Sequence, residues 1–302
     1  MRETFVSTLL EEAKKDKNII LVTGDLGYKL FDDFYEYCPS QIINLGINEQ
    51  SMMGAAAGLA STGKRVFVYS IANFPTLRCL EQIRNDICYM KNPVVIVSVG
   101  AGLEYGSLGY SHHAVEDIAV LRSLPNLDLL SPCDTYETKS ITQMLANNNR
   151  PSYLRLSKSS RFVAHKNPVD VRYGKFLELT SGSDGYVFFT GTIGKIALEA
   201  RNILLGQGVS LTVISIPFIN RLDHDYLLDI DDKKPIVVLE EHMLKGGLGS
   251  AMLEDFNELG IKGKIEHFAI KELDLELNGS GEFLQKEYGL SVDNLVNYFL
   301  KR

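Results

Sequence analysis

Residues 42–60 read IINLGINEQSMMGAAAGLA, a short apolar run that stops at Gly46 and gives way to a Gly- and Ala-rich helical stretch opened by Asn48 and Glu49. A buried strand leading straight into a helix is the unit from which parallel sheets are built. The same alternation extends in both directions. Strands are predicted near 18–23, 41–45, 65–70, 93–99 and 127–130, with helices near 3–15, 49–62, 76–90, 114–123 and 135–147 whose apolar residues recur three and four apart. These elements specify an α/β layer domain whose last strand is SYLRL at 152–156. The stretch SKSSRFVAHKNPVDVRYGK that follows is polar and aperiodic, which places a linker at about 157–178. Alternation then resumes, with strands at 185–190, 209–215, 235–239 and 264–268 and helices at 194–205, 248–259 and 291–301, as a second and smaller α/β sandwich.

A chain of 302 residues has room for two such domains, each with its own core. Apolar residues make up 45% and charged residues 23%, which sets aside collagen-like, disordered and coiled-coil architectures. The formal charge is −7, from 31 Lys+Arg and 38 Asp+Glu, and no basic cluster stands out, so nucleic acid is not an expected partner. No apolar run approaches the ~20 residues that cross a bilayer, so no membrane partner is expected. Cys38, Cys79, Cys88 and Cys133 make no C-x-x-C pair, and MRETFVSTLLEEAKKD lacks the layout of a signal peptide; together these predict reduced thiols and a cytoplasmic location.

Each motif has a plain reading beside a functional one. GTIGK at 191–195 matches no nucleotide fingerprint and reads best as a tight strand-to-helix turn. GGLGS at 246–250 either presents backbone N–H groups to an anion or simply packs closely. His112 and His113 lie in a long Gly-rich loop, from Gly100 to Ala114, where function often resides; equally, Ser111 and Glu116 suit the start of a helix. His113 and Glu116 lack a second histidine at ligand spacing, so no residue is assigned to a metal. In 42–60, Asn48 suits a cap and Glu49 a first-turn carboxylate favoured by the helix dipole, with small residues permitting close packing.

Five blocks in order, LGINEQSMMGAAAGLASTGKRVFVYS, LRCLEQIRND, GYSHHAVEDIAVLRSLPNL, PSYLRLSK and VVLEEHMLKGGLGSAM, resemble the C-terminal two-thirds of transketolases, which depend on thiamine diphosphate. The resemblance implies a pyrimidine-binding domain of thiamine-diphosphate enzymes at 1–165 and a transketolase C-terminal domain at 166–302. Nothing resembles the first transketolase domain, whose G-D-G…N segment binds Mg²⁺ and the cofactor's diphosphate. The implied protein is therefore the small subunit of a split transketolase, paired with a separately encoded diphosphate-binding subunit as α₂β₂ and transferring a two-carbon ketol unit between sugar substrates.

Carried over by resemblance, Glu49 is the catalytic carboxylate that hydrogen-bonds N1′ of the aminopyrimidine and favours the tautomer able to deprotonate the thiazolium. His112 matches the [ST]-H histidine near the cofactor's amino group and the substrate carbonyl, with His113 beside it where glutamine is usual. Phe74 is the stacking candidate ahead of the R-x-x-[DE]-Q-I helix of Arg78, Glu81, Gln82 and Ile83, one residue out of the family's register, whose aromatic places hold Pro75 and Ala72 here. Asp25 matches an acidic residue on the thiazolium side. In the substrate pocket Arg2 matches one arginine and Lys158 replaces another, while Gly100 stands for a histidine and Leu108 for an aspartate, which points away from the usual sugar phosphates. Two alternatives share these domains, the β subunit of a 2-oxoacid dehydrogenase decarboxylase and a 1-deoxyxylulose-phosphate synthase-like acyloin synthase. A non-catalytic regulatory homologue is the alternative of a different class.

Overall fold

The β-branched runs of the first half pair edge to edge as six strands: β1 (Ile19–Thr23), β2 (Ile42–Asn44), β3 (Arg65–Ile71), β4 (Val94–Val99), β5 (Asp128–Leu130) and β6 (Ser152–Leu156). They form one parallel sheet in the order β2-β1-β3-β4-β6-β5. A computed structural model describes residues 1–158 and 162–301 of the chain. Helices α1 (Arg2–Lys15), α2 (Asp32–Tyr37), α3 (Glu49–Ser61), α4 (Leu80–Gln82), α5 (Asp117–Arg122) and α6 (Thr135–Ala146) connect the strands. Because side chains alternate across a strand, Ile19, Leu21, Phe67, Tyr69, Val95 and Val97 pack toward α1 and α6. Ile20, Val22, Val66, Val68, Val94 and Ile96 join Met52, Met53 and Ala56 of α3 in a second core. Both faces of this sheet are thus covered, as an all-parallel sheet requires.

In the second half, strands β7 (Leu177–Thr180), β8 (Gly185–Phe189), β9 (Leu211–Ser215), β10 (Ile236–Met243) and β11 (Ile265–Ile270) form a sheet ordered β11-β10-β8-β9-β7. Only β7 runs antiparallel, against β9. Helices α7 (Gly194–Leu205), α8 (His224–Asp229), α9 (Leu248–Leu259), α10 (Gly281–Glu287) and α11 (Val292–Leu300) complete this half. Phe188, Ile214, Ile236 and Val238 belong to the same apolar cluster as Val22 and Met52, so the two sheets share a continuous core. Val187, Phe189, Val213 and Val237 pack with Ala197 and Ala200 of α7 and Leu295 and Phe299 of α11 on the other face.

Several expectations are corrected. The helix predicted at 76–90 is a 3₁₀ turn at Leu77–Cys79, the short α4, and a π-helical run at Ile83–Tyr89. The one at 114–123 starts only at Asp117, because Ala114 is held in a two-way backbone bridge with Gly102. Ser111 does not cap it; its Oγ lies 3.0 Å from Nδ1 of His112. The linker predicted at 157–178 overlaps β7 at its end, and its residues 159–161 lie outside the described residues. Helices α2, α8 and α10 are invisible to the apolar pattern, being one or two turns long with too few apolar positions to show a period. At GGLGS the welcome anion is internal: the Glu240 carboxylate accepts from Leu248 N–H at 2.7 Å and Gly249 N–H at 2.9 Å. Among the described residues no helix is long and apolar enough to cross a membrane.

Polar staples fix the two halves together. Arg155 on β6 donates from Nε to Asp117 at 2.8 Å and from its terminal nitrogen to Ala114 O at 2.7 Å and Glu241 O at 3.1 Å. Tyr153 also donates to Asp117, and all three side chains are buried. Asp128 on β5 accepts from Arg150, Arg221 and Tyr173; burial alone would raise its pKa, but these donors hold the carboxyl below the usual range. Removing one partner of a buried pair leaves an uncompensated charge, so Asp117→Ala is expected to cost about 3–5 kcal/mol of stability. Urea denaturation checks this; a loss no larger than that of a surface aspartate substitution would refute it.

Candidate active site

The carboxyl ends of β1, β2, β3, β4 and β6 open onto one edge of the first sheet, the place where open α/β sheets bind ligands. Asn48 caps α3, its Oδ1 accepting from Ser51 N–H at 3.3 Å, and this turn delivers Glu49 with its side chain 3% exposed. Arg78, after β3, donates to Glu49 Oε2 at 2.8 Å while its guanidinium carbon lies over the Phe74 ring at 4.3 Å from the centroid. The Phe74 ring in turn meets His112 edge-on at 5.1 Å. Glu49, Arg78, Phe74 and His112 are therefore one contiguous group, drawn from three separate segments. Phe74 is half-buried on this group, which distinguishes it from a core phenylalanine.

The group continues through a residue that sequence reasoning missed. Tyr105 lies 6.1 Å from His112 ring to ring, and Lys158 Nζ sits 4.7 Å from the Tyr105 ring centroid. Burial raises the Tyr105 hydroxyl, with Glu104 adding to this and Arg2 opposing it, so Arg2 too acts on this spot. Arg2 Nε is buried without a hydrogen-bond partner. A Cβ at Gly100 would meet the Tyr105 ring at 2.0 Å, and its φ is +97°. The glycine at 100 is thus explained by the tyrosine that takes up its space. A Tyr five residues after a Gly in a Gly-rich loop was the available signal, but only the folded loop shows the two in contact.

Two predicted residues stand apart. His113 is buried and turned inward, its Nε2 3.5 Å from Gly106 O and its Nδ1 without a partner; burial lowers its pKa. Nothing here presents it to a substrate. Asp25 is exposed at the end of β1 with φ +59°, and its N–H donates to Asn44 Oδ1 at 2.9 Å; together they line a separate open cavity with Tyr28, Phe31 and Tyr35.

The loop that carries Tyr105 and His112 is pinned from the second half. Leu103 N–H donates to Glu241 Oε1 at 2.9 Å, and Gly102, with φ +63°, leaves no room for a side chain against that carboxyl. Asn73 donates to His113 O from the β3 side. Beyond Leu103, Gly106 lies against Gly279 O and the Leu284 side chain, so the loop's far side rests on the start of α10.

A doubly wound parallel sheet that gathers a buried carboxylate, a histidine, an aromatic ring and cations at its carboxyl edge defines an α/β enzyme of the cofactor-dependent class. The family described as transketolase, pyrimidine binding domain, matches residues 1–161, and transketolase, C-terminal domain, matches residues 174–295. One of the two subunits of an apulose-4-phosphate transketolase, from Phocaeicola vulgatus, is 32% identical over 99% of this chain and 96% of its own length. A 1-deoxy-D-xylulose-5-phosphate synthase of Caldanaerobacter subterraneus is 30% identical over 99% of the chain, which spans 48% of that protein. Among solved structures, a split-gene transketolase described as an inactive β4 tetramer superposes with a TM-score of 0.89 at 30% identity, over 99% of this chain and 96% of that one. The chain belongs to the transketolase family.

Burial pushes Glu241 up to about 7, a rise only partly offset by the Leu103 N–H and Arg155. A carboxyl raised in the folded state stabilises most below its ordinary value of 4.5, and that stability is lost as pH rises toward about 7. Wild-type stability should therefore fall by roughly 3 kcal/mol relative to Glu241→Gln across this window. Parallel stability–pH curves for the two proteins would contradict it.

Proposed function

We propose that the chain is the C-terminal subunit of a split transketolase, transferring a two-carbon ketol unit between sugar or sugar-phosphate substrates once a separately encoded diphosphate-binding subunit joins it. The observation that carries this reading is the seat of Arg78. A flat, hydrogen-bond-donating group lies on the Phe74 ring and donates to buried Glu49. An aminopyrimidine makes the same two demands, a ring face and a carboxylate, so the residues present fit thiamine diphosphate. When bound, that cofactor supplies a carbon nucleophile able to add to a ketose carbonyl and carry the two-carbon unit.

The chain's own residues divide the remaining work. Glu49 holds the proton at the pyrimidine's ring nitrogen, in a pocket that keeps water away from the carboxyl. Phe74 supplies the face on which the ring rests, and Arg78 yields its place there. His112, touching Phe74, donates a hydrogen bond or a proton at the substrate carbonyl. Arg2 and Lys158, both acting around Tyr105, attract an anionic end of the substrate. Asp25 is proposed on the thiazolium side and His113 as a support for the loop rather than a substrate contact.

The partner and the Mg²⁺ it brings are supported by what the site edge leaves uncovered. Ile47 is 76% exposed and Tyr28 91% exposed, beside half-exposed Leu108 and Tyr110. A Cβ at Gly54 or Gly58 of α3 would meet nothing within 4 Å, so these glycines face open space rather than packing inside the domain. Such an edge suits an α₂β₂ assembly with sites between subunits. The designation of the P. vulgatus relative as one subunit of a transketolase accords with this. We place the division between the two domains at residues 165 and 166, between the two matched regions.

In the reconstituted pair, Glu49→Gln is expected to abolish ketol transfer nearly completely with unchanged circular dichroism. His112→Ala should reduce turnover by roughly 10²–10⁴-fold. Full activity of Glu49→Gln, or consumption of pyruvate with release of CO₂ by the wild-type pair, would overturn the assignment. Thiamine diphosphate with Mg²⁺ should bind tightly to the pair and weakly to the lone chain, as titration calorimetry would record.

A further inference from the structure

A second cluster of chemically capable side chains lies away from this edge, where the two halves and the connecting segment meet. Cys133 precedes α6, Glu137 sits in its first turn, and His165 belongs to the segment that leads to the second sheet. Cys133 Sγ is 3.1 Å from Glu137 Oε1, His165 Nε2 is 2.9 Å from the same oxygen, and the three atoms lie within 4.8 Å of one another. Cys133 and Glu137 are fully buried, and the His165 side chain is 12% exposed.

We propose that Cys133, Glu137 and His165 form a binding site for one zinc-class divalent cation, with a water held by Ser215 in the fourth position. Thiolate, imidazole and carboxylate together are the donor set of zinc, and tetrahedral bonds of about 2.0–2.3 Å place ligand atoms about 3.3–3.8 Å apart. The separations of the three atoms bracket that range, so only small side-chain rotations separate the present arrangement from a coordinated one. Ser215, which ends β9, points to a missing occupant. Its hydroxyl is completely buried, lies next to the Cys133 thiol and has no hydrogen-bond partner.

The surroundings hold the ligands in place. Asp134 caps α6 with Oδ1, while its Oδ2 accepts from the N–H groups of Ala164 and His165 at 2.9 Å each, which delivers the imidazole onto Glu137. Glu137 is oriented in turn by the Cys133 N–H at 2.8 Å. Burial keeps the free thiol protonated, so metal uptake replaces that proton and releases it to solvent, through the partly open side at His165. Coordination would fasten α6, the connecting segment and β9 at one point, independently of the Mg²⁺ proposed for the cofactor.

The test uses the full-length chain, stripped with a chelator and titrated with CoCl₂ and then ZnCl₂. One cobalt per chain is expected, with a thiolate-to-metal charge-transfer band that zinc displaces and excess MgCl₂ does not, and zinc should raise the thermal midpoint. Cys133→Ser should lose the band, and His165→Gln should weaken metal binding by at least about tenfold. Circular dichroism confirms that both variants fold. Sub-stoichiometric metal, or a band that survives in Cys133→Ser and so arises from Cys38, Cys79 or Cys88, would overturn the proposal; the cluster would then be a hydrogen-bonded staple only.

Discussion

Arg155 is the residue on which the arrangement turns. A guanidinium buried between two domains is costly unless its donors are answered, and here they reach Asp117, the Ala114 carbonyl and the Glu241 carbonyl. Those three acceptors belong to α5, to the end of the site loop and to β10. One side chain thereby sets the angle between the sheets and the position of the loop that carries Tyr105 and His112. The apolar contacts between Val22, Ile96, Phe188 and Ile236 supply the bulk of the cohesion, but they are non-directional. The Arg155 network supplies the direction.

Much of this architecture was legible because long elements have a period. The strands of both sheets and α1, α3, α6, α7, α9 and α11 lie within a few residues of where apolar spacing puts them. What escaped was short or tertiary in origin. β7 hides in a polar stretch because it is an edge strand with half-exposed positions, and the Gly102–Ala114 bridge that delays α5 is a backbone pairing between two stretches of loop with no apolar period of their own. In the candidate site, Glu49, Phe74, Arg78 and His112 were named from the family resemblance, and the fold brings them into contact. Their bond to one another was not legible, since the Glu49–Arg78 pair spans 29 residues. Tyr105 escaped because its contacts with Gly100 and His112 exist only in the folded loop, and His113 was over-read because a sequence does not tell which way a loop histidine faces.

The candidate site is complete on one side only. Every group that would meet a pyrimidine ring is present and mutually supported, and the same edge carries exposed Ile47, Tyr28 and Leu108 that a lone chain in water gains nothing by displaying. The Arg78 contact stabilises a carboxylate that would otherwise be buried without a partner, so Glu49 is kept ready at modest cost until another donor replaces the guanidinium.

The contact of Gly106 with Gly279 and Leu284 bears on how such proteins diversify. The loop next to the candidate site leans on the first turn of α10, a helix that touches no reactive group. Substitutions at residues 278–284 therefore reshape the pocket wall from behind, leaving Glu49, His112 and Arg155 untouched. Lineages that share one set of reactive residues can in this way drift toward different sugars through changes in a domain that performs no chemistry.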